Sequence, residues 1–337
     1  MKHKGLIGLL LLLNLSIIAR AQEAGPQMPS PGTIRVSVDR INVGVTVTDS
    51  RGHSVRGLRS RDFRVFDNGV EQPLTGFIPS DDPAQLVLLI ESSAADFLLG
   101  KLGKSPFAGA DNLLKNISAV DRVAIVTYSD RPRMVLDFTP DKIQARRVIE
   151  EINAKFLSLQ AIEGFGMLDL DLSSSLASTI DWLASVRGTK IILLISSGID
   201  TSSLASWQAV QEKLKTSDVH ILALSIFGDF RTPRKHTKLS PDERYDRDFV
   251  KEGISQSDQL LRDISHASGG HAFMPKNAKE FDRAYAAIAQ LVRGEYTLEF
   301  APPQFDHRLH SIQVNVRRFG YHLDYRQAYL APASMTN

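Results

Sequence analysis

At 337 residues, with 43% hydrophobic residues and no cysteine, the chain has apolar material for two packed domains but cannot form a disulfide or carry a lipid-modified cysteine. Its formal charge of +2 depends on the first 21 residues, which hold Lys2, Lys4 and Arg20 and no acid; without them it falls to about −1. No global basic field therefore points to nucleic acid or to an anionic membrane.

Residues 1–21 read as an export signal: a basic head at Lys2 and Lys4, an apolar stretch from Leu6 to Ile18, and Ala19-Arg20-Ala21 as the cleavage site, which puts the mature start at Gln22. The stretch is shorter than the roughly 20 residues a membrane span needs. An uncleaved N-terminal anchor is the alternative. No later apolar run has membrane length, so no transmembrane span is expected in the mature chain. The expected location is the periplasm or the exterior of a bacterial-type cell. Residues 22–33, rich in proline, glycine and serine, read as a linker.

From residue 34 to 83 the apolar positions alternate. Ile34, Val36 and Val38, then Ile41, Val43, Val45 and Val47, put one face of each strand in a core and one in water. Asp49-Ser50-Arg51-Gly52 is a turn, and Asp67-Asn68-Gly69 divides "FRVF" from "VEQPLTGF" as a hairpin. From 84 to 293 the pattern becomes strands alternating with helices. Continuous apolar runs at Leu86 to Ile90, Val123 to Val126, Ile191 to Ile195 and Val219 to Ile226 demand cover on both faces, the mark of a parallel sheet between helices. Helical periodicity fills the intervals: Ala110 to Ile117, Asp141 to Ile152, Leu172 to Val186, Leu204 to Leu214, Ser257 to Ala267 and Ala278 to Leu291. The predicted class is α/β, a doubly wound, mainly parallel sheet. Alternation returns over 294–331 in "EYTLEF", "HSIQVNV" and "YHLDYRQAYL", three strands, before a tail at 332–337. Neither terminal β segment is large enough to stand comfortably alone, so the two are expected to form one small β-sandwich with the α/β unit inserted between them; two separate β appendages are the alternative.

"LVLLIESSAAD", "DRVAIVTYSDRPRMVLDFT" and "IILLISSGID", in that α/β order, resemble a von Willebrand factor type A domain. With "VTVTDSRGHSVRGLRSRDFRVFDNGVEQPLTGF" before it and "ISHASGGHAFMPKNAKEFDRAYAAIAQLVRGEYTLEFAPP" after it, nearly the whole mature chain resembles the VWFA-related Acidobacterial domain family. The resemblance implies a Rossmann-like fold and an exported protein whose type A domain binds rather than catalyses. Such domains commonly hold Mg²⁺ at a metal-ion-dependent adhesion site, where hydroxyls and carboxylates at the C-terminal edge of the sheet leave one position for a partner's carboxylate.

The family's D-x-S-x-S motif falls on Glu91, Ser93 and Ala95; its threonine after a glycine falls on Met167, after Gly166; its aspartate after the fourth strand falls on Ser197, before Gly198. Glu91 keeps the charge with an added methylene, Ala95 supplies no oxygen, and the Met167 thioether suits a hard cation poorly. Only Ser93 matches fully. Nearby Asp96, Asp169, Asp171 and Asp200 are the available compensating acids. The reading is a degenerate adhesion site with no metal and no other cofactor required, although Mg²⁺ through a rearranged shell stays open. Glu91, Ser93, Ala95, Met167 and Ser197 then form a rim that a partner approaches, with the serines capping loop or helix starts.

Gly228 to Asp258 reads as a long charged loop on the same sheet edge, with Arg231, Arg234, Lys235 and Lys238 as candidate contacts for an acidic partner; a solvated loop is the plainer alternative. His307 and His310 fall at a strand start, where their spacing points them to opposite faces and disfavours zinc. Phe63, Phe66, Phe77, Tyr296, Phe300, Tyr321 and Tyr325 read as sandwich core or cross-strand pairs, and Trp182 and Trp207 as packing anchors. No G-x-S-x-G, phosphate loop or H-E-x-x-H occurs, which leaves an enzyme, for instance a hydrolase, without a constellation. The expectation is an exported, non-enzymatic interaction or adhesion module whose partner is an unidentified protein or envelope component.

Overall fold

A computed structural model describes residues 40–92, 107, 109–159, 170–202, 204–228, 241–317 and 320–333. The export signal, the linker, the strand expected around Ile34 to Val38, and the four candidate loop cations lie outside the described residues.

At its centre is a six-stranded sheet. Its strands are β5 (Gln85–Glu91), β6 (Arg122–Tyr128), β7 (Pro132–Thr139), β8 (Lys190–Ser196), β9 (His220–Ser225) and β10 (Ala272–Phe273), in the order β10-β9-β8-β5-β6-β7. All neighbours are parallel except β6 and β7. Every residue of β5, β8 and β9 is buried, as their unbroken apolar runs require. Strand alternation divides those runs between two cores. Leu86, Leu88, Ile90, Ile191, Leu193 and Ile195 face α1 (Ala110–Asn116), α2 (Lys142–Leu159) and α6 (Ala278–Val292). Val87, Leu89, Ile192 and Leu194 face α3 (Leu172–Leu183), α4 (Leu204–Thr216) and α5 (Pro241–Ala267). The unit is therefore the expected doubly wound α/β sheet. Edge strand β7 escaped the apolar-run criterion because only alternate residues, Met134 and Leu136, are buried on it.

The segments before and after this unit pair with each other. One sheet runs β13-β1-β11-β4 and the other β14-β12-β2-β3. Their strands are β1 (Ile41–Thr48), β2 (Phe63–Asp67), β3 (Val70–Gln72), β4 (Leu74–Ile78), β11 (Glu295–Phe300), β12 (Leu309–Val316), β13 (His322–Tyr325) and β14 (Ala328–Leu330). Their inner faces share one core that includes Val43, Val45, Val47, Tyr296, Leu298 and Phe300 opposite Phe63, Val65, Ile312, Val314 and Tyr329.

The structure corrects three expectations. "VEQPLTGF" is two strands, because Pro73 cannot donate to a ladder: β3 stays with β2 while β4 crosses to the other sheet and pairs with β11. "YHLDYRQAYL" is likewise two strands that change sheets at Arg326 and Gln327, with β13 on β1 and β14 on β12. Part of the charged segment up to Asp258 is helical, since α5 starts at Pro241 instead of Ser257. Proline supplies the helical φ at a first turn, a signal that outweighs the weak apolar periodicity there.

The polar faces of β1 and β11 also differ from expectation. They meet the α/β unit instead of water: Thr46, Glu295 and Thr297 are buried, Thr297 lies 3.2 Å from Thr189 hydroxyl to hydroxyl, and Glu295 Oε2 lies 2.8 Å from His220 Nδ1 at the start of β9. A Cβ on Gly44 would stand 2.6 Å from the Glu295 carboxylate, so glycine is what lets that pair sit between the units. The sandwich thus covers the N-terminal ends of β8 and β9, and their C-terminal ends point away from it.

Candidate functional site

The chain leaves β5 toward β6 on one side and returns to β8 on the other, so the crevice between the C-terminal ends of β5 and β8 is the topological switch point, where open α/β sheets place ligands. Glu91 ends β5, and Ser196 and Ser197 end β8 and begin the following turn. Glu91 Oε2 accepts from the Ser197 backbone N–H at 2.7 Å, Ser197 Oγ at 2.8 Å, Ser196 Oγ at 3.0 Å and the Tyr128 hydroxyl at 3.2 Å. Tyr128 and Ser196 are 2.7 Å apart, oxygen to oxygen. Burial of the phenol, with the Glu91 charge next to it, pushes the Tyr128 pKa well above its ordinary value, so Tyr128 stays protonated and available as a donor.

The turn after β8 is built to present these donors. Ser196 Oγ accepts from the Gly198 N–H at 2.9 Å and Ser197 Oγ from the Ile199 N–H at 3.1 Å, so each hydroxyl both closes the turn and donates to the carboxylate. Gly198 has φ +75°, and a Cβ there would come within 2.5 Å of the Ser257 carbonyl oxygen of α5. Gly198→Ala is therefore expected to destabilise the protein by about 2 kcal/mol or more, from backbone strain and displacement of α5; a change within about 0.5 kcal/mol in urea unfolding would contradict this.

The neighbouring acids have local duties. Asp171 caps α3, accepting from the Ser174 N–H at 2.8 Å. Asp200 accepts from Ser173 Oγ and from the Ser202 N–H, and Asp258 of α5 accepts from Ser225 Oγ at 3.1 Å at the end of β9. Ser93, Ala95 and Met167, with Asp96 and Asp169, lie outside the described residues. Of the five positions assigned to a rim, Glu91 and Ser197 are described, and both are buried, at 1% and 0% exposure. They form a cross-strand clamp beneath the edge, and Ser197 does more than cap. The partners missed from sequence were Tyr128 and Ser196, the last residues of β6 and β8, the two strands that flank β5; the register of a parallel sheet was the signal that placed them level with Glu91.

The Glu91 oxygen that meets the turn is ringed by four donors, so that oxygen is committed to the Ser196–Ser197 turn and to Tyr128. Among the described residues no three histidine, aspartate or glutamate side chains gather as a metal cluster. His310, considered above for zinc, is buried in the sandwich with Nδ1 2.8 Å from Asp67 and Nε2 3.2 Å from Asp306, while the Tyr329 hydroxyl donates to Asp67 at 2.7 Å. The aromatic residues Phe63, Phe77 and Tyr296 pack together with ring centres 5.2–5.9 Å apart, as sandwich core.

No protein-family profile and no curated protein sequence matches this chain. Solved structures do. An aerotolerance-related membrane protein from Bacteroides fragilis is similar over 62% of this chain and 98% of its own, at 15% identity and a TM-score of 0.42. A von Willebrand factor type A protein from Catenulispora acidiphila covers 89% of this chain and 76% of its own, at 10% identity and 0.42. The manganese-loaded TRAP protein of Plasmodium vivax covers 80% of this chain and all of its own, at 11% identity and 0.40. Likenesses of this size carry no functional argument, and the α/β class with its flanking antiparallel sheets stands on the strand order described above.

Proposed function

We propose that this chain is an exported, non-enzymatic interaction module of the VWFA-related Acidobacterial kind. Its type A unit, mounted on a β-sandwich, takes a protein or cell-envelope partner at the C-terminal edge of the sheet without an obligatory ion. The observation that carries this reading is the inward use of Glu91: the carboxylate at the first position of the metal motif clamps β5 to the turn after β8. The geometry gives a reason why Ala95 and Met167 are tolerable at the companion positions, since a clamp needs no further oxygen donors. Support for an edge-facing partner comes from the sandwich, which occupies the opposite end of the sheet. No helix among the described residues is long and apolar enough to cross a membrane. Arg231, Arg234, Lys235 and Lys238 are the proposed contacts for an acidic partner.

Calorimetric titration of the mature chain with Mg²⁺ and Mn²⁺ tests the reading. No binding in the micromolar range is expected. Micromolar binding that disappears in a still-folded Glu91→Ala protein would defeat the ion-free reading in favour of a rearranged metal shell. Capture from envelope extracts should be unaffected by EDTA and reduced when the four loop cations are changed to serine; unchanged capture would remove that loop from the binding surface.

A further inference from the structure

At the end of the sheet opposite Glu91, a cleft of about 550 Å³ opens between the sandwich and α3, α4 and the start of β8. Its charges are nearly all spoken for. Arg40 pairs with Glu299 at 3.4 Å, Lys213 with Asp181, and Lys190 with both oxygens of Asp218 at 2.9 and 3.0 Å. Burial alone would raise the Asp218 pKa, but Lys190 and the Asn42 amide reverse this and hold it below the usual carboxylate value.

Arg326 is the exception. It sits where the chain changes sheets between β13 and β14, is 4% exposed, and lines the cleft. Its guanidinium is held by two carbonyls, Nη1 donating to Ser217 and Nη2 to Asn42, each at 2.6 Å, while Nε has no partner. Two of its five N–H donors are thus used, and the other three have no acceptor among the described residues. Among the described residues no carboxylate lies within ion-pair distance of it; Asp218 acts on it only through space and is already committed to Lys190 and Asn42. Burial consequently lowers the Arg326 pKa to about 10, with Asp218 offsetting only part of the cost. A buried cation held by neutral carbonyls, with spare donors and no counter-ion, is an unfavourable arrangement that an incoming anion would relieve.

The rest of the cleft limits what that anion is. Ile41, Ile180, Ala184 and Val219 line it alongside the ion pairs, and the volume lies within the range of small-molecule sites. We infer that this cleft binds a small organic monocarboxylate, its carboxylate answering Arg326 and its short apolar body lying on Ile41, Ile180 and Val219. Planar fork and planar carboxylate match, and a single negative charge balances the single surplus cation. Such a ligand would bridge the sandwich, through Arg326 and Ile41, and the α/β unit, through Ile180 and Val219.

Calorimetry with hexanoate, hexanol and hexylammonium at constant ionic strength provides the test. Hexanoate is expected to bind one to one, at least about tenfold more tightly than either the neutral or the cationic analogue, as a charge-assisted contact requires. Arg326→Gln should abolish that preference. Because Arg326 also bridges two units and its replacement can unfold the protein, Ala184→Trp is the second variant: Ala184 is exposed at the end of α3, and an indole there obstructs the cleft while leaving Arg326 in place. It should weaken hexanoate by about tenfold or more. Equal affinity for hexanoate and hexanol, no heat with hexanoate anywhere in the millimolar range, or unaltered binding to the Ala184→Trp protein would each overturn the assignment.

Discussion

Replacing Glu91 with alanine should lower the stability of the protein by about 3–4 kcal/mol in urea unfolding, a large effect for one surface-remote carboxylate. The reason lies in what the substitution leaves behind. Four donors lose their acceptor in a place where Glu91, Tyr128, Ser196 and Ser197 are all at most 1% exposed. Each unsatisfied buried group costs about 1–3 kcal/mol, but the costs do not add fully. Tyr128 and Ser196 can still bond to each other, whereas the Ser197 N–H is fixed in the turn and cannot turn elsewhere. Glu91→Gln keeps the shape and one acceptor oxygen and should lose about half as much. Glu91→Asp separates charge from reach. It restores the residue type of the metal motif but withdraws the carboxylate by one methylene from Ser197, so it should destabilise the fold without creating a Mg²⁺ site. A loss below about 0.5 kcal/mol for Glu91→Ala would mean that the clamp contributes nothing.

Glu295→Ala should cost about 3 kcal/mol near pH 6, because it strands a buried imidazolium between the sandwich and the α/β unit. Burial on its own would lower the His220 pKa; the adjacent Glu295, by charge and by hydrogen bond, with Asp324 and the Gly269 backbone adding less, outweighs it and leaves the pKa raised. The sign follows from linkage. A histidine whose folded pKa lies above its unfolded value, about 6.5, contributes stability that is fully present below that value and is lost as pH rises through the folded pKa. The difference in stability between wild type and Glu295→Ala should therefore shrink as pH is raised across and above the ordinary histidine range. Chemical unfolding at a series of pH values measures this, and a difference that stays constant or grows would show that His220 is neutral in the folded protein.

What could be read from the sequence was what periodicity encodes. Continuous apolar runs located β5, β6, β8 and β9, because a strand covered on both faces has no polar side to confuse the signal. Alternation located the sandwich strands, and turn residues such as Asn68-Gly69 located the hairpin, whose Asn68 and Gly69 both take positive φ. What periodicity could not encode was the destination of each polar face. Thr46, Thr297 and Glu295 have the spacing of solvent-facing residues and are buried against a second unit. The division of two long β segments at Pro73 and Arg326 was missed because alternation continues across both breaks while the chain changes sheets. At the candidate site, the motif positions were legible from the resemblance, but the role of Glu91 was not. That role depends on Tyr128 and Ser196, which are distant in sequence and meet it through the parallel register.

The crossed pairing of the two β segments also orders events in time. Ile41 of β1 pairs with Phe300 of β11, so the central pairing of the sandwich is made only after more than 250 intervening residues have been produced. Closing so long a loop in an open chain is slow. The α/β unit shortens it: β4 precedes the unit, β11 follows it, and Ile78 is directly opposite Thr297. Once that unit has folded, its two ends already stand side by side, and the sandwich can close as though the hundreds of residues between them were a tight turn.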